Sequence, residues 1–372
     1  MVDAGEPAAP RRLQSLKIVV TDPIISRFEE RLRADGGAHQ WDMAAARTPE
    51  RRLDALAGAD VVVCSSLGPA EARAAGRVRL VHVTGAGYDR ISFPDLAPSA
   101  QVANTFHHAR PIAEHVLMVM LMLSRNVAAA DREVRRGKWR TIATDDDVPF
   151  HPVLADLTLG LVGLGSIGAE VARVAGALGM TVRAVRRNPS AALPQGVNLD
   201  WVGGNHELHG LLATSDVVVV SVPLDSGTKG LIGAAELACM KPSALLINVA
   251  RGPVVDQAAL YAALTERRIA GAGLDVWWGS PADGVVPPAE LPFASLQNTV
   301  LTPHHSGHAR ITFDRRAADI AANIGRLARG VELINLVPRP VPATRPSEPT
   351  ARSAGRFPAP TPPGPETSAV LR

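Results

Sequence analysis

Two ionisable side chains stand just beyond apolar runs, where an open parallel sheet gathers reactive groups at the carboxyl ends of its strands. Arg251 follows Ala244 to Val249 in Asn248-Val249-Ala250-Arg251-Gly252, and His304 follows Thr299 to Thr302 in Thr302-Pro303-His304-His305-Ser306-Gly307. An arginine fork can grip a carboxylate at two points and polarise a carbonyl, and an imidazole can give or take a proton near neutral pH. Together they would suit hydride transfer to a carbonyl, which needs an orienting cation, an acid and exclusion of water. Taken singly, a loop arginine is more often a surface residue and a histidine more often a satisfied structural one.

A second pattern in the same half of the chain supplies the hydride carrier. Residues 159 to 168 run apolar and then break into Gly163-Leu164-Gly165-Ser166-Ile167-Gly168, followed by a helical pattern to Leu178 and a strand pattern from Met180 to Val185. A phosphate in such a turn is held by exposed backbone N–H groups and the positive end of the helix dipole. Gly163 permits the tight turn, Gly165 the approach of a pyrophosphate, and Gly168 the close packing of helix on strand. Where an NAD site places an acid for the ribose hydroxyls, the chain reads Ala184-Val185-Arg186-Arg187-Asn188. Two guanidiniums suit a 2′-phosphate, so the pattern predicts NADP(H) as the preferred cofactor with NAD(H) possible. The competing explanation is compositional, since arginine greatly outnumbers lysine here.

These elements need a scaffold, and 372 residues at 46% hydrophobic and 20% charged can build two globular domains. A net charge of +3 without a basic, aromatic-interleaved block gives no support for nucleic-acid binding. Cys64 and Cys239 are far apart in apolar stretches, as expected of thiols in a reducing compartment. The longest apolar segment, Val116 to Leu123, is too short to cross a bilayer, and the first residues carry no signal-peptide pattern. A cytoplasmic protein without membrane partners is expected.

Strand and helix patterns alternate throughout. Strands are expected at Leu16 to Thr21, Val61 to Ser65, Leu80 to Thr84 and Gln101 to Asn104, then from Thr158, at Val217 to Val222, Ala244 to Val249, Gly271 to Val276 and Thr299 to Thr302. A long helix is expected from Pro111 through Leu123 to Arg136, and a final one at Thr312 to Arg329. The fold class is α/β, with two doubly wound domains. A Rossmann domain (106–302) is inserted in a smaller flavodoxin-like substrate domain (15–105 and 303–335). Residues 1–14 and the Pro-rich tail 336–372 are expected to be disordered.

The sequence resembles the D-isomer-specific 2-hydroxyacid dehydrogenases over roughly residues 15 to 335. The markers are Thr84-Gly85-Ala86-Gly87-Tyr88-Asp89, Ala113-Glu114-His115, the glycine loop, and Val222-Pro223-Leu224 with Thr228. They continue through Met240-Lys241, Asn248, Arg251-Gly252, Val255-Asp256, Ala272 to Val276 and Thr302-Pro303-His304. The resemblance implies a small 2-keto or 2-hydroxy acid substrate, with Arg251 on its carboxylate and keto oxygen and His304 as acid/base. It implies that N–H groups around Ala86 and Gly87 hold the carboxylate and that Asp275 contacts the nicotinamide carboxamide. Leu164, Ser166, Ile167, Val222, Pro223, Thr228, Val249, Ala250 and His304 join the cofactor site on the same ground. A homodimer through the helix around Pro111 to Leu123 is implied as well. Tyr88, Phe106, His107, His108, Trp277 and Trp278 are candidates for the pocket wall.

One position departs from the family. The histidine is ordinarily paired with a glutamate just before the proline of this segment, and here Asp275-Val276-Trp277-Trp278-Gly279-Ser280-Pro281 puts Ser280 there. A hydroxyl raises an imidazole pKa far less than a carboxylate does, unless another acid such as Asp283 replaces it. Formate dehydrogenases of the superfamily also lack the glutamate, but Asn104-Thr105-Phe106-His107-His108 does not match their substrate loop. The rival from another class is a dinucleotide-sensing interaction protein of the corepressor type, favoured by the missing glutamate and the tail and opposed by Arg251 and His304.

Overall fold

A computed structural model describes residues 14–281 and 288–339; Asp283 and the two terminal segments, 1–13 and 340–372, fall outside the described residues. The apolar runs VVVC, VVVV and LLIN are buried on both faces, as strands of a helix-covered parallel sheet must be. The first sheet contains β1 (Lys17–Val20), β2 (Gln40–Met43), β3 (Val61–Cys64), β4 (Leu80–Val83) and β5 (Gln101–Ala103). Its order is β2-β1-β3-β4-β5 and every pairing is parallel, the flavodoxin-like arrangement.

The second sheet contains β6 (Thr158–Val162), β7 (Thr181–Val185), β8 (Trp201–Gly203), β9 (Val217–Val220), β10 (Leu245–Asn248), β11 (Gly271–Leu274) and β12 (Thr299–Leu301). It is also wholly parallel, in the order β12-β11-β10-β9-β6-β7-β8. Read from the other edge this is the dinucleotide-binding order with a seventh strand, and it reverses between β6 and β9, where such sheets hold ligands.

Two helices tie the sheets together. Ala109–Ser124 buries Ile112, Val116, Val119 and Met120 in the core formed with Leu159, Leu161 and Ile247. It can approach because β11 carries glycines, and a Cβ on Gly273 would strike Val119. Arg310–Arg329 returns to the first sheet, laying Phe313, Ala317, Ile320 and Ile324 against Ile18, Val20, Val61 and Val63.

The structure departs from the sequence pattern in three places. The helix expected to run unbroken to Arg136 stops at Ser124, and Val127–Arg135 resumes at 61° to it. Asn126, at φ 49°, makes the break in the left-handed region that asparagine tolerates. Strands β2 and β8 were not expected from the pattern: each is short, only partly buried and at a sheet edge. Finally, Gln14 donates to the Ala328 carbonyl, and Val337, which is buried, donates to Val102 at 2.8 Å. Packing therefore continues a little beyond 15–335 at both ends. No single helix among the described residues is long and apolar enough to cross a membrane.

Candidate active site

The glycine loop has the geometry its spacing implies. Gly163 sits at φ 101°, which a side chain would strain, and a Cβ there would lie 2.8 Å from Val222 Cγ1. A Cβ on Gly168 would collide with the Gly163 carbonyl, so the helix Ser166–Ala177 lies directly against the turn. Gly165 is the N-cap with no side chain capping it, and a Cβ there would meet only open space. An uncapped helix N-terminus with unobstructed backbone fits a pyrophosphate. Leu164 is buried and Ser166 exposed, with Ile167 between. Across the turn, Ser221 Oγ donates to the Gly163 carbonyl at 3.0 Å, and Thr228 Oγ1 donates to the Pro223 carbonyl at 2.6 Å. Val222 thus stands directly against the glycine turn, and Thr228 fixes the loop that follows it.

The two arginines after β7 behave differently. Arg186 folds back on its own loop, donating to the carbonyls of Pro189, Ala191 and Ala192. Arg187 is largely exposed and pairs at 3.1 Å with Asp225, on the facing loop. Among the described residues, no carboxylate stands at the end of β7 in place of these arginines.

Arg251 begins the loop after β10, and Asn248 sets its course. The buried Asn248 amide donates to the Arg251 carbonyl at 3.0 Å and accepts from the Ala250 N–H at 3.0 Å. Val249 and Ala250 are buried beneath it. Gly252 is required because the Trp277 carbonyl occupies the space a Cβ would need. The guanidinium reaches the first sheet: Nη2 and Nε face Asp89 at 3.2 and 3.4 Å, and Nη2 touches the position of a Cβ on Gly87. Among the described residues, the N–H groups of Ala86 and Gly87 donate to no protein acceptor, although Asn104 fixes the turn by donating to the Ala86 carbonyl at 2.8 Å. The cation therefore lies against Gly87, in a turn with two N–H groups that have no protein acceptor among the described residues, a set of donors suited to a carboxylate.

His304 is held in the left-handed region, at φ 57°, by a loop tied to Asp275. That buried carboxylate accepts from Thr302 Oγ1 at 2.7 Å and from the N–H groups of His305 and Ser306 at 2.9 and 3.0 Å. Burial works to raise the Asp275 pKa, but these hydrogen bonds outweigh it and leave the group below the usual carboxylate range. His304 opens to solvent on one side, yet loss of hydration holds it below the ordinary imidazole value; Asp275 opposes this, and Arg251, Arg90 and His308 reinforce it. Among the described residues no carboxylate lies within ion-pairing distance of His304, and Ser280 is exposed.

Not every pocket candidate is free for substrate. Trp277 donates to the Thr302 carbonyl at 2.9 Å, and Trp278 donates to that of Val255 at 2.7 Å while stacking on Phe293. Both indoles brace loops. His107 pairs with Asp319 at 2.8 Å, and His108 Nδ1 with Arg316 at 2.9 Å, whereas Tyr88 and Phe106 stay exposed. Sequence reasoning missed Asp89, Asn248 and Arg316 as site residues. Arg316 carried a readable signal: it is a cation between Phe313, Ala317 and Ile320 on the buried face of its helix.

Comparison with known proteins decides what this geometry belongs to. The family described as D-isomer specific 2-hydroxyacid dehydrogenase, NAD binding domain, matches residues 117–306, just over half of the chain. A glyoxylate reductase of Korarchaeum cryptofilum is 34% identical over 336 residues, covering 87% of this chain and 94% of that protein. The chain belongs to the D-isomer-specific 2-hydroxyacid dehydrogenases. Other family members similar to it include a glycerate dehydrogenase of Methylorubrum extorquens, 33% identical over 76% of this chain and 87% of its own. Among solved structures, a D-isomer specific 2-hydroxyacid dehydrogenase of Xanthobacter autotrophicus Py2, in complex with NADPH and MES, superposes with a TM-score of 0.70. It is 29% identical and covers 87% of this chain and 98% of its own. The chain is thus an NAD(P)-dependent oxidoreductase interconverting a 2-keto acid and its 2-hydroxy acid, and the interaction-protein reading finds no support among these relatives.

Proposed function

We propose that the protein reduces small 2-keto acids with NADPH in preference to NADH, using Arg251 to bind and polarise the substrate and His304 to protonate it. The observation that carries this reading is the meeting of the Arg251 fork with the free N–H groups of Ala86 and Gly87, one strand away from the loop of Asp275 and two from that of His304. When bound, the nicotinamide supplies or accepts the hydride at the substrate's C2. Gly163 to Gly168 would hold the pyrophosphate, with Val222, Pro223, Thr228, Val249 and Ala250 lining the crevice. Arg187 and, after leaving its loop carbonyls, Arg186 would take the 2′-phosphate.

Arg251 would exchange Asp89 for the substrate carboxylate and stabilise the developing alkoxide. His304 would donate to that oxygen in its cationic form, which the loss of hydration around the ring makes scarce at neutral pH. Asp275 has its oxygens engaged by the His304 loop, so its first task is to orient that loop; a further bond to the carboxamide would use its remaining lone pairs.

The test is steady-state turnover of glyoxylate, hydroxypyruvate and pyruvate with each nucleotide. Turnover with a lower KM for NADPH is expected; reduction of none of them, or equal affinity for both nucleotides, would overturn the corresponding part. A homodimer is supported by the apolar side chains left exposed along the Ala109–Ser124 helix and beyond it: Met118, Leu121, Trp139, Ile142, Phe150 and Val153. A second copy of the chain is the occupant we assign, checked by sedimentation. Two free cysteines, one of them buried, suit a cytoplasmic setting.

A further inference from the structure

Among the described residues, Arg316 is a cation with no anion paired to it. Its Nε donates to the Phe106 carbonyl at 2.8 Å and its Nη2 meets His108 Nδ1 at 2.9 Å. Both partners are neutral: burial, then Arg316 itself, pushes His108 down to about 4. Among the described residues no carboxylate forms an ion pair with Arg316. Asp22, the acid that acts on it, has its oxygens engaged by the Thr84 hydroxyl and by the N–H groups of Ile24 and Ile25. Burial lowers the guanidinium to about 10, against the pull of Asp22. A charge taken from water without a counter-charge is unfavourable, and such groups concentrate where a ligand completes them.

Its position says which ligand. The third nitrogen, Nη1, lies 3.9 Å from where a Cβ on Gly85 would stand, and Arg251 Nη2 touches the same point on Gly87. One guanidinium therefore stands at each end of the turn Gly85 to Gly87, whose Ala86 and Gly87 N–H groups have no protein acceptor among the described residues. Both guanidiniums act on His108, but only Arg251 acts on His304 and so is the cation beside the acid, while Arg316 acts on His308. We propose that Arg316 binds a second anionic group of the substrate, a carboxylate or a phosphate, beyond the carboxylate held by Arg251. This rests on the reductase reading for the identity of the first carboxylate. It makes doubly anionic 2-keto acids the preferred substrates and Arg316 the residue that selects them.

The test can be made without turnover. The protein saturated with NADPH is titrated calorimetrically, at fixed ionic strength, with D-lactate, D-malate and 3-phospho-D-glycerate, which cannot react with the reduced nucleotide. At least one doubly anionic acid should bind about tenfold or more tightly than D-lactate, and whether it is malate or phosphoglycerate identifies the second group. Equal dissociation constants for all three overturn the proposal. Arg316→Gln should abolish the ratio and Arg316→Lys retain part of it, while a ratio unchanged in a folded Arg316→Gln protein also overturns it. Preference in these titrations with no reduction of any 2-keto acid would leave Arg316 in place and sink the reductase reading. Reduction of glyoxylate without preference would do the reverse.

Discussion

Asp89 and Arg251 meet across the cleft, carboxylate to guanidinium at 3.2 Å, one residue carried by the loop after β4 and the other by the loop after β10. The pair links the two sheets, and it occupies the fork that a substrate carboxylate would need. Asp89→Asn should therefore lower KM for a 2-keto acid by about fivefold, a modest effect because both side chains are partly exposed to solvent. A rise in KM would mean that Asp89 aims the guanidinium rather than competing for it.

Arg251→Ala should reduce kcat/KM by about a hundredfold or more while leaving nucleotide affinity within error, since the guanidinium faces the substrate side of the cleft. Arg251→Lys should recover only part, because a point charge cannot reproduce the fork. Retention of most of the wild-type kcat/KM in Arg251→Ala would remove the assigned role.

Nucleotide choice should depend more on Arg187 than on Arg186. Arg187 is free to turn from Asp225, whereas Arg186 is engaged by three loop carbonyls. Arg187→Ala is expected to weaken NADPH binding by about 2 kcal/mol and leave NADH unchanged. Fluorescence titration of both nucleotides checks this, and parallel losses for the two would count against a 2′-phosphate contact.

The pH profile follows from His304. Its pKa lies below the ordinary imidazole value, so the cationic fraction needed for keto reduction shrinks as pH rises, and kcat/KM should already be falling below about pH 6.5. Ser280→Glu should move that limb upward if the new carboxylate reaches the ring. With chemistry confirmed as rate-limiting, a wild-type kcat/KM that stays flat from about pH 5 to about pH 8 would sink the general-acid assignment.

Asp275→Ala should destabilise the fold by about 3 kcal/mol, because it leaves the Thr302 hydroxyl and two loop N–H groups without their acceptor. As the native pKa is depressed, the stabilisation from Asp275 is full above its unfolded value, near pH 4. It is lost as pH falls through the lower folded value. Urea midpoints between pH 3 and 7 test both statements: the wild type should lose this increment on acidification and the variant should not.

The sequence revealed the parallel architecture because buried strands such as Val217–Val220 are continuous apolar runs, and it revealed the glycine loop because Gly163 has a positive φ and Gly168 lies against the Gly163 carbonyl. It concealed β2 and β8, whose edge positions leave polar side chains in place, and the break at Asn126, a single residue turned left-handed. Arg251 and His304 were legible from their places after strands. Their partners were not, since Asp89 lies 162 residues from Arg251 in the chain and only the meeting of two sheets makes them neighbours. The same holds for Trp277 and Trp278, which composition offers to the pocket and hydrogen bonding assigns to the loops.

Arg251, Asp275 and His304 leave three consecutive strands of one sheet, β10, β11 and β12. Neighbouring strands stand about 4.8 Å apart, so cation and acid are set roughly two strand pitches from each other by backbone hydrogen bonding. The sheet is a ruler, and side-chain substitutions cannot regraduate it. The turn at Gly85 to Gly87 follows a strand of the other sheet, Arg316 lies on the helix packed against that sheet, and neither has a share in that spacing. Selection for a new substrate should accordingly collect changes at 85–108 and 316 while Arg251, Asp275 and His304 stand still; sequencing the variants recovered from such a selection would show whether it does.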